Sequence, residues 1–149
     1  MPVTDEQIAT LEAQLAGRTD EHRRLLDQLD RAEASTGYSA LVAAGVFEAA
    51  DRRFMQGGTP APDSDVIDFV ATVRASSQAA TEALDPQIAE RIILAALGKG
   101  EIDDIDDNTV IGHQMFLLAA LVADEHFNAE ELSTFLTQAR ETADHWLAQ

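Results

Sequence analysis

Apolar residues recur at helical spacing along most of the chain, and no segment shows the sustained alternation typical of a β-strand. We therefore predict an all-α protein, built as a bundle of six or seven helices. A length of 149 residues fits one domain. The expected division is a heptad-patterned N-terminal helix in residues 1–36 and a main bundle in residues 37–149.

The first helix is predicted to begin at a capping box, in which Thr4 and Gln7 satisfy each other's backbone amides. The stripe that follows has heptad spacing and a polar centre, and its members are Ile8, Leu11, Leu15, Arg18, His22, Leu25 and Leu29. Gly17 lies at that centre, so either one long helix runs to about Ala34 or two shorter ones meet near residues 17–19. The spacing favours the long helix.

This N-terminal stripe is a candidate interaction surface. Heptad spacing suits helix–helix association, and polar residues within it set the register and the number of partners. The N-terminal helix or helical hairpin could therefore project and pair with a second copy of the chain. The alternative is that the stripe packs on the protein's own bundle, with Arg18 extending outward to solvent.

Five further helices are expected. The one over about Ser39–Met55 is apolar on nearly every side, so it should lie at the centre of the bundle. Residues 57–63 contain two glycines and two prolines and are interpreted as a hinge-like loop. The remaining helices are predicted over residues 63–84, with Asp63 or Ser64 as N-cap, over residues 86–97, between the N-cap Asp85 and a stop at Gly98, and over residues 109–124. A last helix is expected from a capping box of Asn128 and Glu131 onward, with Trp146 and Leu147 on its apolar face.

Acidic residues dominate the charge, with 27 acids against 10 bases and a formal net charge of −17. The excess is uneven, since residues 1–56 hold 10 acids and 6 bases, whereas residues 57–149 hold 17 acids and 4 bases. Such a surface repels nucleic-acid phosphates and anionic membranes, so neither is expected as a partner. It suits a basic protein, although adaptation to high salt would explain the charge without any partner.

The cellular compartment is expected to be the cytoplasm. The chain has no cysteine, which fits a reducing environment and excludes disulfides and thiolate metal sites. Its first residues lack the basic and apolar regions of a secretory signal, and no apolar run approaches the length of a membrane span.

No catalytic constellation is recognisable. The chain lacks the nucleophile-elbow, phosphate-loop and dinucleotide motifs as well as paired metal-binding histidines, so an enzyme is not favoured and no catalytic residue is assigned. The basic doublets Arg23–Arg24 and Arg52–Arg53 could grip an anion, but pairing with neighbouring acids is the expected arrangement. His113, near the start of an apolar helix, is expected to be a buried histidine with satisfied hydrogen bonds.

Two acidic turns between helices are the candidate metal sites. Five of the seven residues 101–107 are carboxylates, and the turn after residue 123 adds a histidine. The candidate ligands are Asp103, Asp104, Asp106, Asp107, Asp124, His126 and Glu130. Neither turn has the glycine and glutamate that a calcium loop requires. No cofactor is therefore expected, and a divalent cation is kept as the alternative.

The second turn, Ala123–Leu132, resembles the acidic inter-helix turn of TerB-like domains of tellurite resistance, which are helical and associated with metal binding. The resemblance covers about a dozen residues, and Glu125 stands where those domains usually have glycine. We transfer no site residues from it.

Together these observations favour a non-catalytic interaction protein, an adaptor, regulator or inhibitor that presents an acidic helical surface to a protein partner. One alternative is a metal protein that uses the carboxylates and His126. The other is a nucleic-acid mimic or immunity-type inhibitor.

Overall fold

The computed structural model describes residues 2–28 and 34–149. Within them the chain is helical apart from short turns and one small hairpin, which confirms the all-α prediction. The described α-helices number eight: α1 (Asp5–Leu15), α2 (Thr19–Gln28), α3 (Ser39–Phe54), α4 (Asp63–Ala75), α5 (Gln78–Ala83), α6 (Pro86–Ala96), α7 (Asp107–Glu125) and α8 (Ala129–Leu147). A π-helical turn, Ala34–Tyr38, leads into α3.

The expectation of one long N-terminal helix was wrong, because the chain breaks at Gly17. This glycine adopts a left-handed conformation with φ +79°. The amide of Arg18 then donates to the carbonyl of Ala13 at 2.8 Å, and that of Gly17 to Gln14 at 3.1 Å. These two bonds form a Schellman motif, which satisfies the last carbonyls of α1 and ends the helix.

Helices α1 and α2 form a helical hairpin. Nδ1–H of His22 donates to the carbonyl oxygen of Thr10 at 2.8 Å, because a carbonyl can only accept. Arg18 lies at the turn and forms ion pairs with Glu12 and Glu21. Helix α1 also packs against α7 and α8, so the hairpin is joined to the bundle. The predicted capping box of Thr4 and Gln7 is confirmed.

Helix α3 lies at the centre of the bundle, as its apolar sequence predicts. It packs against α6, α7 and α8, and it buries small and large apolar residues along its length. It comes close to α7 at Gly45, where an added Cβ would lie 3.0 Å from a methyl carbon of Leu118. The small residues of α3 therefore allow several helices to approach it at once.

Residues 55–60 form a tight hairpin, in the segment interpreted as a hinge-like loop. Strands β1 (Met55–Gln56) and β2 (Thr59–Pro60) pair antiparallel, with Gly57 and Gly58 between them. Both glycines have positive φ, at 58° and 83°, as a two-residue type I′ turn requires. Lys99 Nζ then holds the following segment by donating to the carbonyl of Ala61.

The single helix predicted over residues 63–84 was also wrong, because two serines divide it. Ser76 donates its hydroxyl to the carbonyl of Val73 at 2.6 Å, and Ser77 caps α5 by accepting from the amide of Ala80. Serine side chains compete with helical backbone bonds in this way. Neither Asp63 nor Ser64 caps α4, whose N-cap is Pro62 without a side-chain bond.

Two further predicted caps are present. Asp85 caps α6 ahead of Pro86, and Asn128 and Glu131 form the capping box of α8. The buried apolar side chains of the described helices form one continuous cluster with α3 at its centre. None of the described helices is long and apolar enough to cross a membrane.

Candidate functional site

The second acidic turn is joined to the end of α3 by two arginines. Arg52 donates to the Glu125 carboxylate at 3.0 and 3.2 Å, and Arg53 to Asp124 at 2.9 Å. Helices α3 and α7 run in the same direction here, because Gly45 meets Leu118 and Arg52 meets Glu125 at the same sequence offset. Their carboxyl ends therefore lie together, and the arginines offset carboxylates placed unfavourably at a helix C-terminus.

Both arginine side chains also lie over aromatic rings. The guanidinium carbon of Arg52 is 5.0 Å from the ring centre of Phe127, and that of Arg53 is 4.7 Å from that of Phe69. A guanidinium in these positions gains a cation–π interaction in addition to its ion pair. The expected pairing of Arg52–Arg53 with acids is thus present, although the partners come from α7 and not from residues nearby in sequence.

A surface cleft of about 490 Å³ opens beside this arrangement, between the end of α3, the length of α4 and the end of α7. Its apolar part is formed by Phe54, Phe69 and Val73, each less than 10% exposed. The two phenylalanine rings meet edge to face with centroids 5.7 Å apart. These buried side chains give the cleft an aromatic and apolar floor.

The rim of the cleft is acidic. Asp65, Asp68 and Asp124 line it, and Arg53 is its one cationic side chain. Asp65 and Asp68 lie one helical turn apart on α4, both exposed, and neither receives an ion pair or hydrogen bond from any residue that the structure describes. The cleft therefore carries net negative charge above an apolar floor.

In the first acidic turn, residues 101–107, two of the carboxylates form an ion pair or a helix cap. Arg91 binds Asp104 through both carboxylate oxygens, at 2.6 and 3.1 Å, and it also donates to the carbonyl of Glu101. This guanidinium holds the pKa of the Asp104 carboxyl below its usual range. Asp106 caps α7 by accepting from the amide of Thr109. Asp103 and Asp107 are exposed.

The candidate metal ligands do not assemble into one group. Across residues 2–28 and 34–149, no cluster of three or more histidine and acidic side chains is arranged to hold a metal ion. Asp124 is engaged by Arg53, and Glu130 lines a separate surface depression with Arg52. His126 is the C-cap of α7 and has a left-handed conformation, with φ 54° and ψ 43°. Its role in the described structure is therefore to end the helix.

His113 is a buried histidine whose two ring nitrogens are both used. Nδ1–H donates to the carbonyl of Thr109 at 2.8 Å, and Nε2 accepts from the amide of Asp85 at 3.0 Å. Since a carbonyl can only accept and an amide can only donate, the neutral tautomer is fixed. The expectation of a satisfied buried histidine is confirmed.

The N-terminal stripe is divided between the core and the surface. Leu11 is buried, and Ile8 and Leu15 pack against the core of the same chain. Arg18 is exposed and ion-paired, while His22 and Leu25 are half-buried. Leu29 lies outside the described residues. The first half of the stripe therefore packs on the protein's own bundle, and pairing with a second copy stays a prediction.

One aromatic surface was missed by the sequence reasoning. Phe47 of α3 and Trp146 of α8 are 37% and 39% exposed, and their rings meet edge to face with centroids 5.8 Å apart. Helical spacing after Ala143 places Trp146 together with Leu147 on the apolar face of α8, so both are predicted to face the core. Only the packing of α8 on α3 shows that the tryptophan faces solvent.

Comparison with models of known protein families, with curated proteins and with solved structures gives no significant match to this chain. The likeness to TerB-like domains thus stays confined to one turn, in which Arg53 and Arg52 hold Asp124 and Glu125.

Proposed function

We propose that this protein is a non-catalytic binding protein that presents an acidic helical surface to a basic protein partner. The observation that carries the proposal is that the four basic side chains of residues 57–149, all of which the structure describes, already have partners within the chain. Arg91, Lys99 and Arg140 form ion pairs, and Arg74 donates to the carbonyls of Thr81 and Leu84. The bases of this region are therefore already engaged within the chain.

The carboxylates of the same region are far from neutralised. Four of the seventeen form ion pairs: Asp63, Asp104, Asp124 and Glu125. The other thirteen have no ion pair with a described residue, and they lie on helices and on the turns between them. A field of one sign attracts a partner of opposite charge and raises its rate of association.

The partner is proposed to be a protein because the surface also offers apolar contacts. Phe47 and Trp146 are exposed on one side, and the cleft between α3, α4 and α7 has an aromatic floor. Aromatic residues are enriched among the residues that contribute most to protein–protein binding. A purely electrostatic role in solubility would not need them.

The test is the binding of a fluorescently labelled peptide that mixes arginine and lysine with alanine. A peptide of the same length with glutamate in place of the basic residues is the control. We expect the basic peptide alone to bind, with an affinity that falls steeply as sodium chloride is raised, because screening weakens exposed charge pairs. Binding that does not weaken with salt, or no binding of the basic peptide at low salt, would contradict the proposal.

A further inference from the structure

We infer that the cleft between α3, α4 and α7 is a docking groove for an arginine side chain of a basic peptide segment. The inference rests on the proposed function, since it names where and how the basic partner is recognised. It is carried by the shape of the cleft, by its unneutralised carboxylates and by a guanidinium that already occupies part of it.

The shape suits a bound side chain with its flanking backbone. The volume of about 490 Å³ falls within the range of roughly 300–1,000 Å³ found for ligand sites. The floor of Phe54, Phe69 and Val73 offers apolar surface to the methylene carbons of a long side chain. Arginine and lysine both bury such stems while their charged ends stay near polar groups.

The charge of the groove suits a cation. Asp65 and Asp68 are spaced i,i+3 on one face of α4, and like charges at this spacing destabilise a helix. No residue in the described ranges neutralises them. Thr72 lies one turn after Asp68 on the same face and adds a hydroxyl to the lining. A cation bound here would relieve the repulsion and meet two carboxylates at once.

The resident Arg53 shows which cation the walls of the groove can hold. Its planar guanidinium lies over the Phe69 ring at 4.7 Å and donates to Asp124 at 2.9 Å. An arginine from a partner would meet similar chemistry at Asp65 and Asp68, which line the same cleft as Phe54 and Phe69. Arginine is favoured over lysine because its planar fork can bind two carboxylates and stack on rings.

The experiment compares two double variants that each remove two negative charges. Asp65→Asn with Asp68→Asn alters the groove, whereas Asp103→Asn with Glu141→Gln alters two exposed acids outside it. The probe is a labelled glycine- and serine-rich peptide with two arginines, and its lysine counterpart tests the preference for a guanidinium. Circular dichroism of each variant confirms that the helical fold is retained.

We expect the groove variant to bind the arginine peptide about tenfold more weakly than the wild type, as loss of a close charge pair predicts, and the control by about twofold or less. The lysine peptide should bind wild type severalfold more weakly than the arginine peptide. Phe69→Leu, which keeps an apolar floor but removes the ring, should reduce that preference.

If the two double variants lost equal affinity for the arginine peptide, recognition would depend on overall charge. That result would contradict the groove as the binding site and leave the proposed function intact. Equal binding of the lysine and arginine peptides would overturn the assignment of arginine. Failure of the wild type to bind either peptide at low salt would contradict the proposed function itself.

Discussion

Tyr38 is a buried residue whose ionisation is altered by the fold. It is 8% exposed, and its hydroxyl lies 3.5 Å from Oε1 of Gln14. Burial raises the pKa of its phenol above its ordinary value of about 10, because the phenolate would lose its hydration. It is also the single tyrosine of the chain, so its titration can be followed without interference from another tyrosine.

Titration of the tyrosinate absorbance should therefore give an apparent pKa above about 10 for the native protein and a value near 10 in denaturant. A folded-state pKa that is raised means that the neutral phenol stabilises the native state. That contribution is fully present below the unfolded pKa and is lost as the pH rises through the folded one.

The free energy of unfolding should accordingly decrease above about pH 10, and Tyr38→Phe should reduce this dependence. The same variant leaves the ion pair of Lys99 with Asp63 in place, so a change in the pH dependence reports on the phenol. A native tyrosine that titrates at its ordinary value would contradict the burial.

At the scale of elements, the contact between α1 and the π-helical turn includes one close approach. Gly37 in the π-helical turn lies against the side chain of Gln7, such that an added Cβ would come within 2.7 Å of its amide atoms. Gln7 is 1% exposed, and its Oε1 accepts from the amide of Thr4 at 2.9 Å. Movement of Gln7 would therefore disturb the cap of α1.

Gly37→Ala is expected to lower the free energy of unfolding by about 1–2 kcal/mol, the size of a lost helix cap with its buried hydrogen bond. Chemical denaturation of Gly37→Ala, Gln7→Ala and the double variant forms a mutant cycle. In the Gln7→Ala background the added methyl has space, so Gly37→Ala should be close to neutral there. Additive effects would show that the two residues do not act on each other.

The ion-pair partners of the basic doublet at the end of α3 are determined by the packing of helices and not by the neighbouring sequence. In the sequence, Arg52 and Arg53 stand beside Asp51, and the expected partners were local acids. In the fold they cross to Asp124 and Glu125 on α7, more than seventy residues away. The turn that was a candidate metal site is thereby a site of ion pairing between helices.

On the scale of the whole molecule, the excess negative charge acts on folding and on binding in opposite ways. Repulsion among the carboxylates that lack ion pairs opposes the compact state, whereas the same charges attract a basic partner. Salt screens both interactions over a distance of about 8–10 Å at moderate ionic strength. Added salt should therefore increase the stability of the fold and decrease the affinity for the partner.

Raising sodium chloride from low to moderate concentration should increase the melting temperature and weaken the binding of the basic peptide in the same solutions. Differential scanning fluorimetry and fluorescence anisotropy measure the two quantities side by side. A protein that is unfolded at low salt would favour adaptation to high salt as the origin of the charge. A stable fold at low salt together with tight peptide binding would favour the partner.

The sequence alone determined the all-helical class and most helix ends. The capping boxes at Thr4 and Asn128, the Asp85–Pro86 start and the stop at Gly98 were all predicted and are all present. Each depends on residues three to five positions apart, so the local sequence holds the information. The central position of α3 also followed from its apolar faces.

The tertiary structure decided the breaks in two predicted helices, the exposure of Trp146 and the arrangement of the charges. Gly17 and Ser76–Ser77 allow a helix to end with little loss of local free energy. Whether the helix ends there is determined by how the flanking segments pack. The groove beside Phe69 joins three helices that are distant in sequence, and its carboxylates are ordinary surface acids until α3 and α7 meet α4. Interactions between residues far apart in the chain depend on that packing, which the periodicity of apolar residues does not predict.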